Sequence, residues 1–134
     1  MTPEAARYLD KARQCLADAS LYRTLVPRIA AREAYLAAFH AAEALVSDRT
    51  GKSAKTHRGL RAQFAHIARD EPRIGQPLTE FLAQAYELKS ISDYGTGPEA
   101  IITAVTANAA VDTAERFVAC VADFLGDPTP PGQP

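Results

Sequence analysis

The chain has 134 residues, a length that suits one folded domain, and 47% of the residues are hydrophobic, which is enough for a core. Its 15 lysines and arginines face 16 acidic residues, so the formal net charge is -1. This balance excludes a uniformly basic nucleic-acid-binding protein. Any anion-binding surface must therefore be local.

Targeting and membrane segments are not expected. Residues 1–13 are charged and amphipathic and lack the apolar run of a secretory signal. The longest apolar stretch, residues 101–125, carries four charged side chains that would be costly in a bilayer: Asp112, Glu115, Arg116 and Asp123. We expect a cytoplasmic protein without a membrane span.

Helix signals recur along the chain, beginning at its amino terminus. Thr2, Pro3 and Glu4 supply a capping hydroxyl, a proline where no amide is needed and an acid in the first turn. Pro27 separates this first helix from a second, predicted at residues 28–49 and ended by Gly51.

Three further helices complete the predicted bundle. Thr56 caps a third helix at residues 57–69, and a fourth at 77–91 ends at the GTGP segment. A fifth is predicted at 98–125. The fold class is therefore all-α, an antiparallel bundle of about five helices over residues 1–126. Residues 127–134, rich in proline and glycine, are predicted to be a disordered tail.

Polar residues stand out in the alanine-rich second helix, which is predicted to be central. Arg32, His40 and Glu43 fall along one side of it and could form a network. The alternative is a satisfied polar seam or a subunit interface, because buried polar groups normally find partners without a chemical role.

A basic run, RTGKSAKTHRGLR, occupies residues 49–61 and contains no acid. Together with the free amides at the start of the third helix it could bind phosphate or RNA. The candidate ligands of the phosphate are Lys52, Lys55, Thr56, Arg58 and Arg61. The alternative is an ordinary solvated loop.

A third candidate site is LKSISDYGTG, residues 88–97, where Lys89, Asp93 and Tyr94 crowd the end of the fourth helix. The glycines that follow could leave room for a ligand, although lysine and a turn are also common at helix ends.

Metal and cysteine chemistry have little support in the sequence. His57 and His66 would lie on opposite faces of one helix, so no metal site and no cofactor are expected. Cys15 and Cys120 are far apart and have no CxxC partner, which indicates neither a zinc site nor a disulfide framework.

Three segments together resemble the HEPN superfamily, in particular its small stand-alone bacterial and archaeal members. They are AREAYLAAFHAAEAL at 31–45, KTHRGL at 55–60 and LKSISDY at 88–94, in matching order and spacing. The resemblance implies a helical bundle that commonly dimerises. It also implies a relation to metal-independent endoribonucleases, which are often toxins paired with a small nucleotidyltransferase.

The catalytic signature of that superfamily is arginine followed four to six residues later by histidine. In this sequence Lys89 stands in place of the arginine and Tyr94 in place of the histidine. Tyrosine, with a pKa of about 10, is a poor base at neutral pH. His57 could act as the base if the fold brings it to Lys89. The resemblance thus implies His57, Lys89, Asp93 and Tyr94 as catalytic candidates.

The leading hypothesis is an RNA- or nucleotide-binding, toxin-like component of a HEPN–nucleotidyltransferase toxin–antitoxin module. An active endoribonuclease and a non-catalytic nucleotide sensor or scaffold are the alternatives. The resemblance also implies Tyr94 as an acceptor of AMP from the partner enzyme. We further expect a homodimer, because the alanine-rich second helix has more apolar surface than a monomer can easily cover.

Overall fold

The computed structural model describes residues 1–128 and contains five α-helices with no strand among them. The helices are α1 (Pro3–Tyr22), α2 (Pro27–Thr50), α3 (His57–Arg69), α4 (Gly75–Tyr94) and α5 (Ala104–Phe124), with a 3-10 turn at Pro98–Ala100. This confirms the predicted all-α bundle. None of these helices combines the length and the apolar character that crossing a membrane requires.

Helix α2 lies at the centre and packs against all four other helices. The residues on its buried faces are mostly alanines, whose small side chains let neighbouring helices approach closely: Ala30, Ala31, Ala34, Ala37, Ala38, Ala41, Ala42 and Ala44. Only residues 23–26 join α1 to α2, so these two helices are antiparallel neighbours. The prediction of a central second helix is confirmed.

Because these alanines are fully buried within one chain, the physical reason given for a dimer is wrong. The other helices of the same molecule already cover α2. Large apolar side chains are exposed elsewhere, at Leu21, Leu25, Tyr94, Ile101 and Val105.

The predicted helix starts at Thr2 and Thr56 are confirmed by side-chain caps. The Thr2 hydroxyl accepts a hydrogen bond from the Ala5 amide at 3.1 Å, and the Thr56 hydroxyl accepts one from the Gly59 amide at 2.9 Å. The Thr56 cap fixes where α3 begins and so places His57 as its first residue.

The bounds of α4 and α5 differ from the prediction. Helix α4 begins at Gly75, because Pro77 lies in the first turn, where an amide needs no partner within the helix. It continues to Tyr94. Helix α5 begins at Ala104 rather than residue 98, because Thr103 caps it through the Thr106 amide at 3.2 Å.

The carboxyl-terminal part of the described chain turns back onto α1. Arg13 donates to the Asp127 carboxylate at 3.0 Å and to the Asp127 carbonyl at 2.7 Å. The predicted tail, residues 127–134, lies mostly outside the described residues, and its disorder stays a prediction.

Gly95 ends α4 at a point of close approach. A Cβ atom there would lie 2.6 Å from the Ile91 carbonyl oxygen and 2.7 Å from the Ala100 Cβ. The backbone of Gly95 has φ of -70°, which any residue adopts, so only the space is restrictive. The space beside this glycine therefore holds Ala100, not a ligand as the sequence had suggested.

We expect Gly95→Ala to lower the free energy of unfolding by about 1–3 kcal/mol, because the added methyl overpacks the join between α4 and the 3-10 turn. Urea denaturation measures the change. Adding Ala100→Gly to the variant should recover part of the loss, since it removes one of the two close approaches. A Gly95→Ala protein as stable as wild type would contradict this account.

Candidate functional site

Helices α2, α3 and α4 meet around the imidazole of His57. Tyr35 and Phe39 extend from α2, His57 and Arg61 lie one turn apart at the start of α3, and Tyr86 extends from α4. These five residues are called the His57 cluster below. It draws its side chains from three elements that are distant in sequence, so it exists only in the folded chain.

Aromatic rings surround His57. The Phe39 ring stacks on the imidazole with 4.4 Å between centroids, and the Tyr86 ring lies 5.4 Å away at a tilt. Tyr35 and Tyr86 contact each other edge to face at 5.6 Å. These contacts restrict the plane in which the imidazole can lie.

The Tyr35 hydroxyl and the His57 Nδ1 atom form a hydrogen bond of 2.5 Å. Tyr35 is the largest of the fully buried side chains in residues 1–128. Burial raises the pKa of its phenol far above the usual value, although the nearby Arg61 guanidinium opposes the shift. The phenol is therefore neutral under all ordinary conditions.

The pKa of His57 is lowered, first because the ring is partly buried and then because the charges of Lys89 and Arg61 disfavour a third cation. Glu43 acts in the opposite direction, and His40 adds slightly to the decrease. The fold thus brings His57 within the electrostatic reach of Lys89, as the catalytic hypothesis required. His57 is neutral at pH 7.

Arg61 has a guanidinium that lacks an acidic partner within residues 1–128. It lies over the Tyr86 ring at 4.8 Å, and its Nη1 atom is buried without a hydrogen-bond partner. Unpaired buried donors are rare in folded proteins and call for an explanation. Arg61 therefore differs from an ordinary surface arginine.

Near the carboxyl end of α4, Lys89 and Arg32 both bond to the carboxylate of Asp93. Lys89 Nζ donates to one oxygen at 2.9 Å, and Arg32 Nε donates to the other at 2.9 Å. The Lys89 bond, followed by that of Arg32, holds the pKa of Asp93 below its usual range despite some desolvation. The ionised Asp93 carboxylate thus links α2 to α4 through two ion pairs.

The network predicted for Arg32, His40 and Glu43 is divided in the structure. His40 Nδ1 and the Glu43 carboxylate form a pair at 2.7 Å, whereas Arg32 pairs with Asp93 and, at 3.6 Å, with Glu33. Arg32 and His40 are eight residues, or about 12 Å of helix, apart, so an acid on α4 is the nearer partner for the arginine.

The basic run at residues 49–61 also divides. Lys52, Lys55 and Arg58 are exposed and form no ion pair within the described chain, and exposed Thr56 caps α3. Arg49, at the start of the run, is paired instead with an acid, since its guanidinium lies 3.4 Å from the Glu71 carboxylate. The basic run therefore contains three exposed cations without an ion pair in the described chain and one, Arg49, that is paired with an acid.

Tyr94 ends α4 with 79% of its surface exposed. The Lys89 ammonium lies 5.9 Å from the centre of its ring. The ring is therefore not packed into the bundle, and its hydroxyl is open to other molecules. The structure places Tyr94 beside Lys89 and Asp93, as the sequence indicated.

Sequence reasoning missed the aromatic residues of the His57 cluster as parts of a site: Tyr35, Phe39 and Tyr86. A tyrosine in an alanine-rich buried helix was the available signal, because a buried phenol needs a hydrogen-bond partner. The partner itself could not be found from the sequence, since Tyr35 and His57 belong to different helices.

Cysteine and metal chemistry remain without structural support in the described part of the chain. Both cysteines are free thiols, and burial raises the pKa of Cys15 to about 11. Within residues 1–128 no group of three His, Cys, Asp or Glu side chains could hold a metal ion.

The lowered pKa of His57 makes stability depend on pH. As pH falls below about 6.5, the unfolded chain takes up the His57 proton before the folded protein does. The contribution of His57 is therefore complete above about pH 6.5 and is lost as pH falls toward the folded-state pKa.

We expect urea denaturation between pH 8 and pH 5 to show a smaller loss of stability at low pH in His57→Gln than in wild type. His40 and His66 are common to both proteins and cancel in the comparison. Equal pH slopes for the two proteins would show that the pKa of His57 is not lowered by folding.

Residues 4–124 match the family model described as HEPN domain, which covers nearly the whole described chain. No curated protein matches the sequence significantly. The family match includes every helix except the first residue of α1, and it contains the three segments whose order and spacing resembled this superfamily. The chain belongs to the HEPN domain family.

Proposed function

We propose that this chain is an RNA- or nucleotide-binding HEPN protein that works as the toxin-like component of a module with a nucleotidyltransferase. The proposal rests chiefly on Arg61, whose guanidinium has a buried Nη1 atom without a hydrogen-bond partner and forms no ion pair within residues 1–128. Because Nη1 is shielded from solvent, a phosphate oxygen would reach it only when the Arg61 side chain turns outward, and it would then supply the missing acceptor and the missing negative charge together.

The surroundings of Arg61 support an anionic ligand. Exposed Lys52, Lys55 and Arg58 precede it and would attract a phosphate chain toward the start of α3, where free backbone amides add to the field. The face of Phe39, which is only partly buried, lies beside His57. Cations next to aromatic rings suit single-stranded RNA, whose phosphates and bases are bound separately.

An active endoribonuclease is the second candidate, favoured by the approach of Lys89 to His57. Cleavage by attack of the 2′-hydroxyl would need a base, and neutral His57 has the appropriate protonation state. In the resting protein, however, Nδ1 of His57 is occupied by Tyr35 and Lys89 is occupied by Asp93. This arrangement supports binding more than catalysis, and a nucleotide sensor or scaffold would use the same contacts.

Removing the Arg61 charge should weaken binding of a fluorescent single-stranded RNA. We expect Arg61→Gln to raise the dissociation constant by roughly 10- to 100-fold, the effect of losing charge-assisted hydrogen bonds. Arg116→Gln is the matched control, because Arg116 is exposed on α5, which contributes no residue to the proposed site, and its side chain bonds Thr113 of the same helix. An unchanged constant for Arg61→Gln in a folded protein would refute the proposal.

In the same assay, changing Lys52, Lys55 and Arg58 together to Ala should weaken binding and flatten its salt dependence. The slope of log affinity against log salt should decrease by roughly 0.7 for each phosphate that the variant no longer neutralises. The same slope and affinity as wild type would show that these three residues belong to a solvated loop.

We also propose a homodimer, supported by exposed apolar side chains rather than by α2. Leu21 and Leu25 flank Arg23, which bonds Asn108 and Asp112, so they lie beside the start of α5, where Val105 is 80% exposed. Light scattering at micromolar concentration should give twice the chain mass of 14.4 kDa, and Val105→Glu should lower it. A wild-type mass of one chain would exclude the dimer.

Tyr94 is proposed as an acceptor of AMP. The phenol oxygen would bond to the α-phosphorus of ATP, pyrophosphate would leave, and the phenol proton would pass to solvent. The exposure of Tyr94 makes the hydroxyl reachable, and the added negative charge would lie close to Lys89.

Incubation with the co-encoded nucleotidyltransferase and ATP should add AMP to wild type and to Tyr22→Phe, but not to Tyr94→Phe, as mapped by mass spectrometry. Undiminished labelling of Tyr94→Phe, or none in wild type with an active enzyme, would remove this role.

A further inference from the structure

The Tyr35 hydroxyl has an asymmetric set of neighbours. His57 Nδ1 lies 2.5 Å away and is the only hydrogen-bond acceptor bonded to it within residues 1–128. The guanidinium of Arg61 is close enough to donate to the phenol but cannot accept from it, and Tyr86 and Glu43 act on the phenol through charge without forming a hydrogen bond to it within residues 1–128. The phenolic proton therefore has one place to go, the lone pair of Nδ1.

This direction of donation decides where the imidazole carries its proton. A neutral imidazole has one N–H and one lone pair, so an Nδ1 atom that accepts from Tyr35 leaves the hydrogen on Nε2. The Nε2 atom has no partner within residues 1–128, yet it is not among the buried unpaired atoms, so it reaches solvent. His57 thus presents a hydrogen-bond donor at the surface.

We propose that Tyr35 is a positioning residue that holds His57 as its Nε2–H tautomer, so that His57 and Arg61 together offer only donors to a phosphate group. A phosphate has acceptor oxygens on every side and suits such a set. A ligand that must donate, such as an amine or an amide nitrogen, finds no acceptor in these two side chains.

The aromatic contacts make this assignment stable. Phe39 stacks on one face of the imidazole, and Tyr86 restricts its tilt, so the ring cannot rotate to exchange Nδ1 and Nε2 without disturbing both. Reversing the Tyr35 bond would leave its phenolic hydrogen buried without an acceptor, which is unfavourable. The tautomer follows from burial as well as from the bond.

The ligand part of this inference rests on the proposed function, whereas the tautomer does not. Long-range proton–nitrogen correlation spectra of the full chain at pH 7.5 would identify the His57 tautomer before any ligand is added. His57→Gln assigns the signals. We expect a protonated Nε2 and a bare Nδ1, and a protonated Nδ1 would overturn the inference.

The Tyr35→Phe variant keeps the ring and removes only the hydroxyl. We expect a larger share of the Nδ1–H tautomer, and a dissociation constant for inorganic phosphate and for single-stranded RNA that rises by roughly tenfold. Tyr22→Phe, which removes a phenol from α1, should change neither quantity. Circular dichroism verifies that both variants are folded.

The outcomes separate the two proposals. An unchanged tautomer in folded Tyr35→Phe would show that Tyr35 does not position His57, whether or not RNA binds. If wild type shows the Nε2–H tautomer but binds neither phosphate nor RNA, the proposed function and the donor-only phosphate site are refuted together. A phosphate-dependent shift of Nε2 in wild type that is absent from Tyr35→Phe would support both.

Discussion

Close packing around α2 is the constraint on which the rest of the molecule depends. Its buried alanines occupy so little space that four helices pack against the same central helix. The cost of this arrangement is that polar groups on α2 must find partners on its neighbours. Tyr35, Arg32 and His40 do so at different places, through His57 on α3, Asp93 on α4 and Glu43 on α2 itself.

Those partners explain why chemistry concentrates where α2 meets α3 and α4. The Asp93 carboxylate neutralises part of the charge of Lys89 and Arg32, while no acid within residues 1–128 forms an ion pair with Arg61. A positive group that is partly desolvated and unpaired attracts an anion more strongly than a hydrated surface lysine does, because water screens the latter. The exposed cations Lys52, Lys55 and Arg58 and the partly buried Arg61 of the His57 cluster therefore have different physical roles, even though one basic run contains all four.

The HEPN family assignment and the site geometry answer different questions. Membership accounts for the bundle, and the resemblance of the sequence to the superfamily puts Lys89 and Tyr94 where its catalytic signature would have arginine and histidine. What remains at this end of α4 is an ion pair and an exposed phenol, neither of which is a ready base. The neutral histidine lies instead at the start of α3, where its free nitrogen is a donor if Tyr35 directs the proton as we infer.

The sequence by itself determined the elements whose causes are local. Caps at Thr2 and Thr56, the break at Gly51 and the helical spacing of apolar residues each act within a few positions, so five helices and a central α2 were predictable. The start of α5 was misplaced because the Thr103 cap competes with a proline signal five residues earlier. Only the tertiary structure decided that Tyr35 bonds His57, that Arg32 pairs with Asp93 and that Arg61 forms no ion pair within residues 1–128. Each of these depends on distances between different helices, which local propensity does not specify.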